Sequence, residues 1–365
     1  MKKIWPVLKC KHMICCNPDN LYHDTYFRLR KILLMLFICA SCSGIQAQMI
    51  KGSISDKSTG KAIPYATIYF SGTTIGTASD EQGYFELKLP KDLTKPLTIS
   101  SVGFYSLTMN SYLIDEPIFV QLQPKTYELK EVVISAKESE NIRKANFPIF
   151  RSEFLGNNWN AQRCKIMNEE DILLSYDDEN QILKAFSDHP VQIHNEVLGY
   201  KMIYFLDHFE FCTANDSLIL TGNYIFSQDT AADSRQQIEF DRRRGMAYLG
   251  SRMHFFRSLW DNQLNESGFT VRDSRGEKLS YNEIVVEDSI DAEMPQKYLH
   301  YREALYVYYK KTSSKTRMTL QNEYVFFDRS GFFDPLGIVW QGDLGQQRIS
   351  VLLPFEYILP DEISH

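Results

Sequence analysis

Two neighbouring stretches decide the fold: PYATIYF at residues 64–70 and GTASDEQGYFEL at residues 76–87. In the first stretch apolar and polar residues alternate, which is typical of a strand with one buried face. The second contains the turn SDEQG, whose last residue, Gly83, suits a tight turn that needs a positive φ. The apolar residues after this turn occupy every second position and so share one face of the next strand. Both stretches therefore predict short strands joined by tight turns.

Similar short runs lie on both sides of these two stretches. They cover residues 50–54, 73–77, 97–102 and 118–122. Several short strands separated by turn residues are typical of an all-β sandwich. We therefore expect a β-sandwich domain at residues 48–124.

The order of these motifs resembles the carboxypeptidase regulatory-like domain, a transthyretin-like sandwich of seven strands. The matching motifs are I-x-G-x-I at residues 50–54, P-Y-A-T-I-Y at 64–69, G-T-A-S-D-E-Q-G-Y-F-E-L at 76–87, I-S-S-V-G-F at 99–104 and V-Q-L at 120–122. The resemblance implies a non-catalytic module of the kind found widely in envelope proteins and at the N-termini of TonB-dependent receptors.

The segment after the sandwich also resembles part of such receptors. Residues 127–135, YELKEVVIS, are similar to the strand that joins the module to the receptor plug. A plug and a 22-stranded barrel, at about ten residues per strand plus loops, need more than the 230 residues that follow. We therefore expect no receptor barrel, and we assign residues 125–147 to a linker that contains this connecting strand.

Residues 148–365 are expected to form a β-rich α+β domain. Runs rich in β-branched and aromatic residues predict its strands at 171–176, 191–195, 200–211, 218–226, 304–309, 318–327 and 348–353. One segment has a helical period instead. Its apolar residues recur at spacings of four, three, four and four, and they are Leu249, Met253, Phe256, Trp260 and Leu264. The overall prediction is a mainly β chain in which one amphipathic helix packs on a sheet of the second domain.

This second half also resembles the companion region of uncharacterised envelope proteins that carry the same N-terminal module. The shared features include Leu198-Gly199-Tyr200 and the late motif LPFEY at residues 353–357. The resemblance implies one composite architecture and brings no known activity.

The N-terminal segment has the pattern of a secretory signal peptide. Basic residues precede an apolar run at residues 32–40, and small residues then lead to Ala47. The run is about half of the roughly 20 residues that a membrane-spanning helix needs. We expect residues 1–47 to be removed and the protein to be exported to the periplasm or the outer membrane. Lipidation at Cys42 is the less favoured alternative.

The net charge of the chain bears on the kind of partner that it binds. The whole chain has a net charge of −6, and a chain that starts at Gln48 has lost seven basic and two acidic residues, so its net charge is −11. Phosphate backbones bind clustered Lys and Arg, so nucleic acid is not expected as a partner.

Only Cys164 and Cys212 follow the signal peptide. In an oxidising compartment they could form one disulfide or remain two free thiols.

Catalytic motifs are absent from the sequence. His300 and Glu303 have the spacing of the first two ligands of a zinc carboxypeptidase, but the only later histidine is His365. A catalytic zinc site needs three fixed protein ligands. His208 and Glu210 alternate on a predicted strand and are explained equally well by a solvated face. We therefore expect no catalytic residue, no metal and no cofactor.

Four residues remain as candidate ligand contacts. Phe332 and Phe333 form an aromatic pair in a predicted loop, and Arg242 and Arg243 belong to a basic run that could hold an anionic glycan. The leading hypothesis is a non-catalytic adaptor that binds another envelope protein. A module that binds cell-surface glycan is the alternative, and a hydrolase of an unrecognised type is the third.

Overall fold

The structure is a computed structural model that describes residues 48–89, 96–109, 112, 116–125, 136–288, 296–310 and 315–360. The expected signal peptide, the alternative lipidation site Cys42 and the expected connecting strand at residues 127–135 lie outside the described residues. Among the helices within these ranges, none has the length and apolar character needed to cross a membrane.

The N-terminal part forms the predicted seven-stranded sandwich. Its strands are β1 (Met49–Asp56), β2 (Thr67–Phe70), β3 (Gly76–Ala78), β4 (Tyr84–Lys88), β5 (Leu97–Ser100), β6 (Leu107–Met109) and β7 (Ile118–Leu122). One sheet has the order β4-β1-β7 and the other β3-β2-β5-β6. Gly83 has a φ of 80°, as the turn before β4 requires. The strand predicted at residues 73–77 instead begins at Gly76, because Thr73 turns the chain by bonding back to the Phe70 carbonyl at 2.7 Å.

The two sheets of the sandwich differ in burial. Strands β4 and β7 alternate between exposed and buried residues, so one face of the β4-β1-β7 sheet meets solvent. Strand β5 is buried at all four positions, and β2 at three of four. Strands buried on both faces need a second layer. The β3-β2-β5-β6 sheet packs on the sandwich core with one face and on the next sheet with the other.

That next sheet, the central sheet, follows two helices. The helices are α1 (Ala136–Leu155) and α2 (Trp159–Gln162), and the strands are β8 (Cys164–Ile166), β9 (Ile172–Asp177), β10 (Ile182–Ser187), β11 (Val191–Asn195), β12 (Tyr200–Cys212) and β13 (Ser217–Gln228). The order is β8-β11-β12-β10-β9, with β13 along the other edge of β12. A 3-10 helix, Glu169–Asp171, precedes β9.

Helix α1 replaces part of the predicted linker. Residues 125–147 were predicted to form a linker, and residues 138–144 within it are mostly charged. The helix nevertheless runs for 20 residues, and its second half buries Phe150 and Phe154, which stack at 5.1 Å. Their rings also contact Phe209 and Tyr204 of the central sheet. Burial of these aromatic rings holds the helix against the sheet.

The rest of the chain forms the C-terminal sheets and their helices. The helices are α3 (Ser234–Tyr248), α4 (Arg252–Trp260) and α5 (Tyr281–Ile284), and the strands are β14 (Phe269–Arg272), β15 (Val285–Asp288), β16 (Gln296–Leu299), β17 (Leu305–Tyr309), β18 (Thr316–Leu320), β19 (Val325–Phe327) and β20 (Ile338–Gln341). The sheet orders are β14-β17-β18-β20 and β15-β16-β19. Three 3-10 helices cover Pro335–Gly337, Asp343–Gln346 and Ile349–Val351. The chain is thus mainly β, as predicted.

Three local predictions in this region need correction. The pattern from Leu249 to Leu264 is longer than the helix it predicts, because Gly250, with a φ of 77°, separates α3 from α4, Ser251 caps the start of α4, and α4 ends at Trp260. The run at residues 318–327 contains two strands, β18 and β19, in different sheets. The run at 348–353 forms a 3-10 turn and not a strand. In all three cases some of the apolar residues are buried, but the chain turns within the segment.

The sandwich is joined to the central sheet through the turn after β2. The Gly72 amide donates to the Tyr224 carbonyl at 2.7 Å, and the Phe226 amide donates to the Thr73 carbonyl at 2.8 Å. The Phe355 amide donates to the Gly72 carbonyl at 2.9 Å. These bonds fix the β3-β2-β5-β6 sheet against β13 and the C-terminal segment. The β4-β1-β7 sheet therefore lies on the side of the sandwich that faces away from the central sheet.

Candidate functional site

A cavity of about 420 Å³ lies where the sandwich, the central sheet and the C-terminal sheets meet. Ligand sites are frequent at such junctions, and the volume falls within the usual range for small molecules. Its apolar wall consists of Leu220, Met253, Phe332, Phe333, Pro335, Leu336, Ile349, Leu352, Leu353 and Phe355. Leu336 is itself exposed at the surface.

Arg252, the first residue of α4, brings a positive charge to this cavity. Its Nε donates to the Leu344 carbonyl at 2.7 Å and its Nη2 to the Gln347 carbonyl at 3.3 Å. Burial, and secondarily the nearby charge of Arg348, lower the pKa of Arg252 to about 10. The guanidinium therefore stays charged at neutral pH, and within the described part of the chain it has no ion-pair partner.

Arg348 brings a second guanidinium to the same cavity. Its Nη2 lies 3.2 Å from the Glu153 carboxylate on α1, and its Nη1 donates to the Gly345 carbonyl. Its Nε is buried and has no acceptor among the described residues. A buried donor without a partner is costly, and this N–H is closed to solvent.

Asp207 is the acidic residue of the cavity lining. The pairing of β12 with β13 shifts register between Leu206 and His208, so Asp207 is the extra residue of a β-bulge. It accepts a hydrogen bond from Asn223 at 3.2 Å and remains solvent-exposed. The surrounding protein partly desolvates the carboxyl group of Asp207, and this desolvation raises its pKa. The positive charge of Lys125 acts in the opposite direction.

The predicted contacts Phe332 and Phe333 both line this cavity. Their rings are half-buried in an aromatic cluster. Phe333 stacks on Phe256 at 4.6 Å, and Phe332 meets Phe355 edge-on at 5.8 Å. A ring engaged in this way offers less area to a sugar than a free ring would. Their use in glycan binding therefore stays a prediction.

The predicted contacts Arg242 and Arg243 are not part of the cavity lining. Both lie on α3 and donate to Glu239, Arg242 at 2.7 and 2.9 Å and Arg243 at 2.6 Å. These bonds lower the pKa of Glu239 to about 2. Arg243 also lies over the ring of Trp159, 4.0 Å from its centroid. Both guanidinium groups thus have internal partners, and a role for them in holding an anionic glycan stays a prediction.

Sequence reasoning missed the two arginines of the cavity. Arg252 falls within a segment interpreted only as an amphipathic helix, and Arg348 begins a segment interpreted as a strand. They are 96 positions apart in the sequence. No local motif relates them, because the folding of three separate regions creates the cavity.

The exposed face of the β4-β1-β7 sheet carries a second candidate surface. Tyr84, Ser53 and Phe119 pair across the three strands and form one row on this face. The two aromatic residues are 61% and 79% exposed. Two strand spacings place their Cα atoms about 10 Å apart. The neighbouring row contains the ion pair between Lys51 and Glu86, at 2.8 Å. We call this surface the aromatic row.

Other sequence candidates have ordinary structural partners. His300 Nδ1 lies 2.8 Å from the Glu323 carbonyl, and Glu303 accepts a bond from Ser274 at 2.8 Å. Lys184 and His208 both lie 3.6 Å from Glu210. Within the described ranges, no three His, Cys, Asp or Glu side chains converge as a metal site would require.

The two cysteines are free thiols that lie far apart. Cys164 pairs with Asn195, which in turn pairs with Tyr200 at the start of β12, and Cys212 ends the same strand. Twelve residue steps along a strand span about 40 Å. A disulfide needs Cα atoms within about 7 Å. The alternative left open by the sequence is thereby resolved in favour of two thiols.

Comparisons with known proteins agree with the fold of the first domain. Residues 50–134 match the family model of the CarboxypepD_reg-like domain, so the N-terminal sandwich is a carboxypeptidase regulatory-like domain. No curated protein matches the chain. A crystal structure from Bacteroides fragilis NCTC 9343, described as a candidate membrane-associated protein of unknown function, matches at 9% identity over 80% of this chain and 94% of that one. Its TM-score is 0.18, which is too low to bear on the fold or function of this chain.

Proposed function

We propose that the protein is an exported, non-catalytic adaptor of the cell envelope, whose carboxypeptidase regulatory-like domain binds another envelope protein through the aromatic row. The observation that carries this proposal is the exposure of Tyr84 and Phe119 on the same face of the β4-β1-β7 sheet. Exposed aromatic rings provide a large contact area at small cost in side-chain entropy, and they are enriched in protein interfaces.

The attachment of the sandwich supports this assignment. The opposite sheet is occupied by its contacts with the central sheet, including the bonds of Gly72 and Thr73. Among the described residues, the aromatic row therefore lies on the side of the sandwich that faces away from the central sheet. The ion pair of Lys51 with Glu86 borders it, which matches the usual arrangement of a polar rim around an apolar centre. The signal-peptide pattern and the acidic charge of the exported chain agree with an envelope partner.

Photo-cross-linking in the native host tests the proposal. The full chain carries p-benzoylphenylalanine in place of Phe119 in one strain and in place of Ile238 in a matched control strain. Ile238 lies on α3 and is 68% exposed, so it is equally accessible but lies outside the aromatic row. We expect position 119 to give a discrete cross-link to one envelope protein that position 238 does not give.

Two results would contradict the proposal. One is the same set of products from both positions, which would indicate non-specific collision. The other is a product at position 119 that contains only a second copy of this chain, which would make the aromatic row a homodimer contact.

A further inference from the structure

The cavity between the sandwich, the central sheet and the C-terminal sheets combines two features that the adaptor proposal does not use. Its wall is mainly apolar, and two guanidinium groups, Arg252 and Arg348, belong to its lining. Apolar walls with a few well-placed polar groups are typical of small-molecule sites, in which the polar groups orient the ligand. The cavity is separate from the aromatic row, which lies on the β4-β1-β7 sheet.

The charges around the two arginines do not balance. Arg348 has one carboxylate partner, Glu153 at 3.2 Å, while Arg252 has none among the described residues. The carbonyl groups of Leu344 and Gln347 accept bonds from Arg252 but carry no net charge. Asp207 also lines the cavity, and its carboxylate has its own cation nearby in Lys125. Arg252 is half-buried and lies over the ring of Trp340, 5.4 Å from its centroid, but no carboxylate balances its charge, and a partly desolvated charge without a counter-ion is costly.

The hydrogen bonding of the two guanidinium groups is incomplete. The Nε of Arg348 is closed to solvent and has no acceptor among the described residues, and the Nη1 of Arg252 makes no hydrogen bond within the described ranges. Guanidinium groups bind carboxylate and phosphate oxygens strongly, because the bonds are charge-assisted and can be bidentate. An anion between the two arginines would therefore satisfy both the charge and the donors.

We propose that this cavity binds an amphiphile that has one anionic head group and an aliphatic chain. The head group is held by Arg252 and Arg348, and the chain lies along the wall that includes Met253, Leu336 and Leu352. Entry is from solvent beside Leu336, which is exposed. A volume of about 420 Å³ suits a single chain of moderate length. The head group can be the carboxylate of a fatty acid or the phosphate of a single-chain phospholipid.

Calorimetric titration of the purified exported protein tests the ligand class. The four probes, each below its micelle concentration, are dodecanoate, dodecyl phosphate, dodecyltrimethylammonium and inorganic phosphate. We expect the two anionic chains to bind at least about tenfold more tightly than the cationic chain, because the guanidinium groups attract an anionic head group and repel a cationic one. The tighter of the two anionic chains identifies the source of the head group. Equal binding of anionic and cationic chains, or inorganic phosphate binding as tightly as dodecyl phosphate, would overturn the proposal.

A pair of variants tests the residues. Arg252→Gln removes one cation from the cavity, and Arg242→Gln removes one cation from the surface of α3. We expect the first to weaken binding of the better anionic chain by at least about tenfold and the second to change it by less than about twofold. Equal effects in both variants would contradict the assignment. Because Arg252 also bonds to Leu344 and Gln347, its variant could fail to fold, and in that case the titrations of the unaltered protein decide.

Discussion

The rings of Tyr69 and Phe205 stack at a centroid distance of 5.6 Å and an interplanar angle of 20°. Tyr69 belongs to β2 of the sandwich and Phe205 to β12 of the central sheet, so this contact joins two parts of the chain that the sequence suggested were separated by a linker. Tyr69 is completely buried, and its hydroxyl lies 3.1 Å from that of Ser100. The regulatory-like domain is therefore packed against the rest of the chain and is not tethered loosely to it.

The turn that anchors the sandwich can be tested with a pair of glycine substitutions. Gly72 and Gly103 have similar φ values, 76° and 79°, so alanine at either position costs about 1–2 kcal/mol of backbone strain. A Cβ at Gly72 would lie 2.4 Å from the ring of Phe355, whereas at Gly103 it meets no described atom within 4 Å. We expect Gly72→Ala to lower the free energy of unfolding in urea by about 1–3 kcal/mol more than Gly103→Ala does. Equal losses would show that the turn is not packed as described.

His254 is expected to make stability depend on pH. Burial, followed by the charges of Arg257 and Lys310, lowers its pKa to about 4, and its Nδ1 accepts the Gly250 N–H at 3.1 Å. In the unfolded chain the pKa is about 6.5, so between these values the unfolded state binds the proton and the folded state does not. Stability is therefore lost as the pH falls, by about 2 kcal/mol between pH 7.5 and 5.

Urea titrations at several pH values measure this contribution. In a His254→Gln variant the loss between pH 7.5 and 5 should be smaller by about that amount, because no proton is taken up at this position on unfolding. A variant with the same pH profile as the unaltered protein would assign the dependence to other groups.

The two thiols should differ in reactivity. Cys164 is completely buried, and burial raises the pKa of its thiol to about 12, so the reactive thiolate is rare in the folded protein. Cys212 is half-buried at the end of β12. We expect iodoacetamide at pH 8 to modify Cys212 in the native protein and Cys164 only in urea, as mass spectrometry of the two peptides would show. Recovery of the two peptides as one disulfide-linked species would contradict the separation of about 40 Å.

The sandwich was predictable because its signals are local. The alternation in residues 64–70 and the turn that ends at Gly83 each predict a short stretch of backbone, whereas the seven-stranded sandwich was implied by the resemblance of the ordered motifs to the regulatory-like domain. Helix α1 was not predictable in the same way. Its charged first half gives a weak apolar period, and contacts of Phe150 and Phe154 with distant strands stabilise it. Such tertiary contacts override local propensity.

The candidate sites also divide into residues with a local sequence signal and residues that only tertiary contacts bring together. Phe332 and Phe333 could be selected from the sequence because adjacent aromatic residues in a loop stand out. The arginines that accompany them in the cavity could not, because each belongs to a segment whose pattern is explained by packing. The β-bulge at Asp207 likewise depends on the register of β12 with β13 and has no signal of its own.

Binding of the partner captured from position 119 to purified variants tests the adaptor account most directly. Tyr84→Ser combined with Phe119→Ser removes both rings of the aromatic row, and Ile238→Ser removes an equally exposed apolar side chain elsewhere. At about 2 kcal/mol for each central aromatic residue, the double variant should bind at least about 100-fold more weakly, with an unchanged melting temperature. The Ile238→Ser control should bind with unaltered affinity. If the double variant binds as tightly as the unaltered protein, the aromatic row is not the partner surface and the account is wrong.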